Sequence, residues 1–280
     1  MKREAYLRHR LQSLSALHEA VRAMKSLSAL HFRSARAIVP TAREYRESIE
    51  AALSQIDLPK RPANGGGQGL LVVAADLGLC GDYNSRLAQA GIEARNRLGP
   101  GPLYCIGRRL HGWLARAELS IARAYSAPTS INGLTDLLLQ VAYDVFEDYR
   151  LGRISGFRVV SARFEGAGKF EPVTAQILPI EVPASAKRVR ASRYVGAEHL
   201  ATVAQREFVY ITLYELLLEA LASEHGARLV AAGAAEEWLE ARSSETQTAL
   251  MGLRRESATQ EVLDIAAGAR SIRLRRFGAT

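Results

Sequence analysis

Apolar and amphipathic side chains recur at helical spacing through the last third of the chain, from about Val203 to Ala269. Phe208, Ile211, Tyr214, Leu218, Leu221, His225, Leu229 and Ala232 fall on one stripe, no proline follows Pro183, and glycine is sparse. At a period of 3.5 to 3.6 this predicts a helix of about sixty residues, where an average helix has about ten to fourteen. Unbroken, it would run on the order of 90 Å. A helix of that length cannot bury its stripe on a compact domain built from the rest of the chain. It needs a second long helix, or a partner. The other end of the sequence offers one. Residues 1 to 57 hold no glycine and a single proline, Pro40. Leu7, Leu11, Leu14, Leu17, Val21, Met24 and Leu27 step by threes and fours, which is the seam of a coiled coil. Pro40 is expected to kink that helix or unwind it locally, because it removes a backbone donor and crowds the preceding turn.

Between the two helices the period changes. Residues 57–68 are rich in glycine and proline and read as a linker; no Gly-Lys-Ser/Thr follows the glycine run, so it is not a Walker loop. Gly69 to Ala75 is a short branched apolar run, hence a buried strand, and leads into a turn-rich loop, Asp76 to Asn84. A helix from Ser85 to Leu98, a strand from Leu103 to Ile106 and a short helix from Arg108 to Ala117 follow. Next come a strand near Ser120 to Tyr125, an amphipathic helix from Asn132 to Tyr149, and two neighbouring strands, Phe157 to Phe164 and Thr174 to Ile180. That alternation predicts an α/β layer with a mostly parallel sheet. Residues 181–196 read as a second linker. The expected fold is thus α/β plus a long antiparallel coiled coil: paired terminal helices over 1–57 and 197–280, with a Rossmann-like α/β domain inserted over 58–196.

Composition narrows the class. Apolar residues make up 48% of the 280, enough for a packed core. No apolar run reaches the length of a membrane span, and the charged N-terminus reads as no secretory signal. Cys80 and Cys105 are the only cysteines, in apolar contexts without metal-ligand spacing, which suits a reducing cytoplasm. The net charge of +8 favours acidic partners, but the interleaved aromatics of a nucleic-acid stacking platform are missing. The basic first helix faces acids in the last one, at Glu215, Glu219, Glu224, Glu236, Glu237 and Glu240, so the simplest reading is charge pairing across the coiled coil. Nucleic acid is therefore not expected as a partner.

The loop Asp76-Leu-Gly-Leu-Cys-Gly81 sits between a strand and a helix, where a phosphate loop would sit. Its two glycines do not have dinucleotide-fingerprint spacing, and they read instead as permitting a tight turn. Nothing ties the one histidine of the α/β region, His111, to Cys80, so a buried structural thiol is favoured over a nucleophile. The six histidines are scattered, without metal-ligand spacing to a carboxylate; His18, His31 and His225 read as seam or flank positions. No catalytic constellation, cofactor site or metal site is expected.

Three stretches together resemble the gamma subunit of F-type ATP synthases. Leu7-Arg-His-Arg-Leu-Gln-Ser-Leu14 followed by Val21-Arg-Ala-Met-Lys25 resembles that family's first helix. The loop from Asp76 to Gly81 with Asn84 resembles its Asp-Arg-Gly-Leu-Cys-Gly-Gly-x-Asn. Leu221-Ala-Ser-Glu-His-Gly-Ala-Arg228, Arg254-Arg-Glu-Ser-Ala-Thr-Gln-Glu261 and Ala267-Gly-Ala269 resemble its signature helix. The resemblance implies a non-catalytic central-stalk rotor: a helical shaft inside a ring of alpha and beta subunits, with an α/β foot near the membrane c-ring. The implied partners also include epsilon. The implied place is the cytoplasmic side of the inner membrane, peripheral, reached only through the complex. Met24, Lys25, Arg254, Thr259, Gln260 and Glu261 match shaft positions that contact the ring. Asp76, Gly78, Cys80, Gly81 and Asn84 match the foot loop, whose role reads as structural. Leu77, Asp82, Met251 and Gly252 depart from the family pattern, and a basic segment runs on from Arg270, which points to a diverged, alternate-type paralogue. The alternatives to weigh against a rotor are a stand-alone coiled-coil adaptor with an α/β head, and a small α/β nucleotide-binding or thiol enzyme.

Overall fold

A computed structural model describes residues 2–56, 66–166, 168–181 and 196–277. The readings of linkers at 57–65 and 182–195 therefore fall outside the described residues. Two helices frame the chain, α1 (Lys2–Leu53) and α5 (Ala197–Phe277). The expected sixty-residue helix is in fact 81 residues long. By contact density the chain divides into two units: residues 25–231 form one, and residues 1–24 with 232–280 form the other.

The larger unit is built on a sheet of β1 (Gly67–Val73), β2 (Leu103–Ile106), β3 (Arg123–Tyr125), β4 (Ile154–Gly166) and β5 (Lys169–Leu178). The order is β3-β2-β1-β4-β5; all neighbours are parallel except the β4–β5 hairpin. The connecting helices are α2 (Tyr83–Leu98), α3 (His111–Arg116) and α4 (Ile131–Arg150). Alternate residues of a strand face opposite ways, and β1 uses both sets. Leu71 and Val73 pack in one core with Leu134, Leu138 and Val141 of α4, and with Ala35, Val39, Val209 and Leu213 from the terminal helices. Leu70 and Val72 pack in a second core with Leu87 and Ala88 of α2 and with Leu110 and Leu114 around α3. A parallel strand covered on both faces must be apolar throughout, which is why residues 70–75 carry no polar alternation. Gly91 lets α2 lie close on β1, since a Cβ there would stand 2.7 Å from a methyl of Val72.

Within this unit α1 and α5 lie against each other through apolar and charged contacts. Arg43 bonds Glu215 at 3.1 Å and also reaches Glu219, and Arg46 bonds Glu215 at 2.6 Å. Opposite charges do face each other between these helices. Pro40 does not unwind α1: the helix continues through it, with the ring on the exposed side where water can replace the missing donor.

The smaller unit pairs the start of α1 with the later part of α5. Leu14 and Val21 pack against Ala232, Ala235 and Leu239. The seam differs in part from its sequence reading. Its buried α1 positions include Leu14, Val21, Ser28, Ala35 and Ala42 at heptad spacing, with Phe32 and Val39 between the later ones, while Leu17 and Leu27 are more than half exposed. Ser28, Ala35 and Ala42 are small enough for close approach, and small residues carry little hydrophobic signal.

Candidate functional site

The loop after β1 lies at the carboxyl end of the sheet, where β2 and β4 flank β1 on opposite sides. In open α/β sheets that reversal of strand order is where ligands bind. Here the loop is tied into the protein itself. Asp76 accepts hydrogen bonds from the backbone N–H of Arg108 (2.8 Å) and of Ala127 (3.1 Å), and pairs with the Arg108 guanidinium. It thereby joins the ends of β1, β2 and β3. Asn84, in the first turn of α2, accepts from the Ala75 N–H at 2.9 Å and turns its amide toward the Cys80 sulfur at 3.1 Å. Gly81 takes φ +58°, open to glycine without strain, and Leu79 is held at φ +57°.

The space outside this loop is filled by α5. Arg228 donates from Nε to the Gly78 carbonyl at 3.1 Å and from Nη2 to Glu224 at 2.6 Å. Its Nη1 lies 3.3 Å from Nδ1 of His225, whose Nε2 lies 3.1 Å from the Thr129 carbonyl. A carbonyl can only accept, so Nε2 carries the proton and Nδ1 receives the Arg228 donor. One neutral tautomer satisfies both contacts. Burial, with Arg228 alongside, lowers the His225 pKa to about 4. Burial also pushes Glu224 upward, against the pull of Arg228. The Tyr83 hydroxyl donates to the Ala220 carbonyl at 3.0 Å, a buried bond from α2 to α5. The loop is thus a joint between the sheet and the long helix.

Cys80 is buried and its pKa is raised by burial; Cys105, pushed up to about 12 by burial, is a poorer thiolate still. A nucleophilic role for either gains no support from the geometry. A cavity of about 450 Å³ opens at the other end of the sheet, beside Arg95, Gly101, Glu118 and Ser120. Arg95 there spans the rims of β1 and β2, donating to the carbonyls of Gln68 (2.9 Å) and Gly101 (3.2 Å).

The remaining sequence-derived positions lie on the long helices. Met24 and Lys25 are half-buried on α1. Arg254, Thr259, Gln260 and Glu261 are exposed on α5. Arg254 bonds Glu4 at 3.0 Å, so it closes the α1 pairing within its unit. Thr259 donates to the Arg255 carbonyl, and Gln260 to Asp264, one turn along. From 254 to 270 every described side chain is exposed, including Val262, Leu263 and Ile265. Sequence reasoning missed Arg228 and Glu4 as partners. The four-residue step from Glu224 to Arg228 was a visible signal for the first.

Comparison with known proteins agrees with this architecture. A family model described as ATP synthase matches residues 4–272. An ATP synthase gamma chain of Moorella thermoacetica is 27% identical, over 95% of this chain and 98% of that relative. One of Pelotomaculum thermopropionicum is 26% identical over the same shares. Among solved structures, a chain of the Euglena gracilis mitochondrial ATP synthase (OSCP/F1/c-ring, rotational state 3) superposes with a TM-score of 0.68. It is 14% identical, and the match covers 97% of this chain and 95% of that one. A chain from the rotor of the same organism's enzyme gives 0.64. Matched almost from end to end, the chain belongs to the ATP synthase family, in which the relatives it resembles are gamma chains.

Proposed function

We propose that this chain is the central-stalk rotor subunit of an F-type ATP synthase, coupling ion flow through a membrane ring to ATP synthesis or hydrolysis by rotation. The observation that carries this reading is the end-to-end correspondence with gamma chains, which leaves neither terminal helix nor the inserted sheet unaccounted for. In this reading the paired helices enter a ring of alpha and beta subunits. Residues 58–196 are the foot, beside epsilon and the c-ring. Met24, Lys25, Arg254, Thr259, Gln260 and Glu261 touch the alpha/beta ring. The chain itself turns over no substrate. Rotating an asymmetric helix pair changes which face each beta subunit meets, and each nucleotide site biases the rotor angle in return.

Two features of the molecule support the reading. The crevice where a doubly wound sheet would take a ligand is filled by Glu224, His225 and Arg228 of its own helix. The last described part of α5 presents Val262, Leu263 and Ile265 with no cover from this chain, as a segment seated in a ring of other subunits would. No helix among the described residues is long and apolar enough to cross a membrane. Attachment through the complex, peripherally on the cytoplasmic side, follows from the reading. The test is co-expression of a tagged chain with alpha and beta subunits of an F-type ATP synthase from the same source. A stable complex with ATPase activity is expected. A chain that elutes as a free monomer or homodimer, without ATPase, would overturn the rotor and leave the stand-alone adaptor.

A further inference from the structure

The smaller unit brings together one histidine of α1 and two glutamates of α5. Glu236 and Glu240 stand one helical turn apart on α5 and so share a face. His18 of α1 meets them there, its Nε2 3.4 Å from Glu240 and 3.9 Å from Glu236. All three donor atoms lie within 4.8 Å of one another. We propose that His18, Glu236 and Glu240 hold a borderline divalent transition-metal ion, of which Zn²⁺ is the type, and that the ion cross-links α1 to α5.

The spacing is the first reason. A good hydrogen bond or tight ion pair between these groups would sit at roughly 2.7 to 3.2 Å. Two ligands on one zinc ion, with bonds near 2.0 to 2.1 Å and a tetrahedral angle, stand roughly 3.3 to 3.5 Å apart. The histidine–carboxylate separations lie at and just beyond that value. The second reason is His18 itself. Its Nε2 is closed off from solvent and has no hydrogen-bond partner, although two carboxylates lie beside it. A metal ion is the ligand for which an imidazole nitrogen and two carboxylate oxygens are all suited. The third reason is charge. Two carboxylates a turn apart on one helix repel each other, and a divalent cation turns that repulsion into a shared bond.

One nitrogen and two oxygen donors suit zinc, cobalt or manganese better than calcium, which prefers six or more oxygens. Three protein ligands leave a coordination position for water. The largely exposed side chain of Glu240 gives the ion a way in. Both cysteines are buried elsewhere, so thiols compete little for a soft or borderline ion.

The test uses the full-length chain, stripped with a chelator and titrated with Co²⁺ and then with Zn²⁺. One Co²⁺ per chain should bind, giving visible absorption that Zn²⁺ abolishes, and Zn²⁺ should raise the thermal midpoint. His18→Ala and Glu240→Gln should each weaken binding by roughly tenfold or more, while His9→Ala, an exposed histidine on the same helix, should not. Glu240→Gln keeps the shape of an exposed side chain, so its result stands even where His18→Ala lowers helix content. Binding that survives both substitutions would overturn the site. So would no binding at all, which would leave the three side chains as a contact between the helices and no more.

Discussion

The two units use the same helix, α5, in different ways. In the larger unit every residue of α5 from 217 to 228 is buried, whatever its side chain. In the smaller one burial narrows to a stripe of Ala232, Leu239, Thr246 and Leu250, and beyond Leu253 it ceases among the described residues. A helix surrounded on all sides can carry charge only if each charge is paired, and Glu224, Arg228, Glu215 and Glu219 all are. A helix with one covered stripe leaves its other faces to solvent or to a partner. The first arrangement anchors; the second presents.

Breaking the anchored half should cost most. Arg228→Met leaves Glu224 buried without its cation and the Gly78 carbonyl without a donor, a loss of about 3 to 5 kcal/mol. A urea melt should show it as a lower midpoint, and adding Glu224→Gln should restore part. An unchanged midpoint would mean that the joint is not structural.

The next effect is a dependence on pH. The folded pKa of His225, about 4, lies below the ordinary histidine value of about 6.5, so protons favour the unfolded chain. Its contribution is complete above pH 6.5 and is lost as pH falls toward 4, at most about 3 kcal/mol over that window. His225→Gln should flatten the slope of stability against pH there. A slope equal to the parent's would place the acid sensitivity elsewhere.

The smallest effect belongs to the presenting half. Arg254→Ala removes an exposed pair with Glu4 and should leave the melting midpoint where it was. Coupled ATPase turnover of the assembled complex should nonetheless fall, and it should fall with Glu261→Ala as well. Normal turnover in both variants would count against these positions as ring contacts.

The same contrast explains what the sequence made legible. Strands β1, β2 and β4 were readable because a doubly covered or alternating strand announces itself in a few residues. β2 begins and ends where its apolar run does, at Leu103 and Ile106. The heptad register was only half readable. Leu17 and Leu27 step correctly by threes and fours yet face outward, while Ser28 and Ala42 hold the seam. Apolar periodicity finds a stripe, but close packing also admits small residues that carry little apolar signal. The joint was harder still. The loop from Asp76 to Gly81 was visible as a motif, but Arg228 reaches it across about 150 positions of chain. No local pattern reports such a bond.

One further consequence of that joint concerns torsion. Apolar contacts are indifferent to direction, so a helix held by them alone can turn a little about its own axis at small cost. Hydrogen bonds have angular demands. The bonds from Arg228 to Gly78 and from Tyr83 to Ala220 leave α5 at two azimuths a little over two turns apart and end on the first loop and first connecting helix of the sheet layer. They act as a key in a keyway. A twist applied to α5 in this unit is passed to the sheet as a load on directed bonds, not dissipated as slip between greasy surfaces.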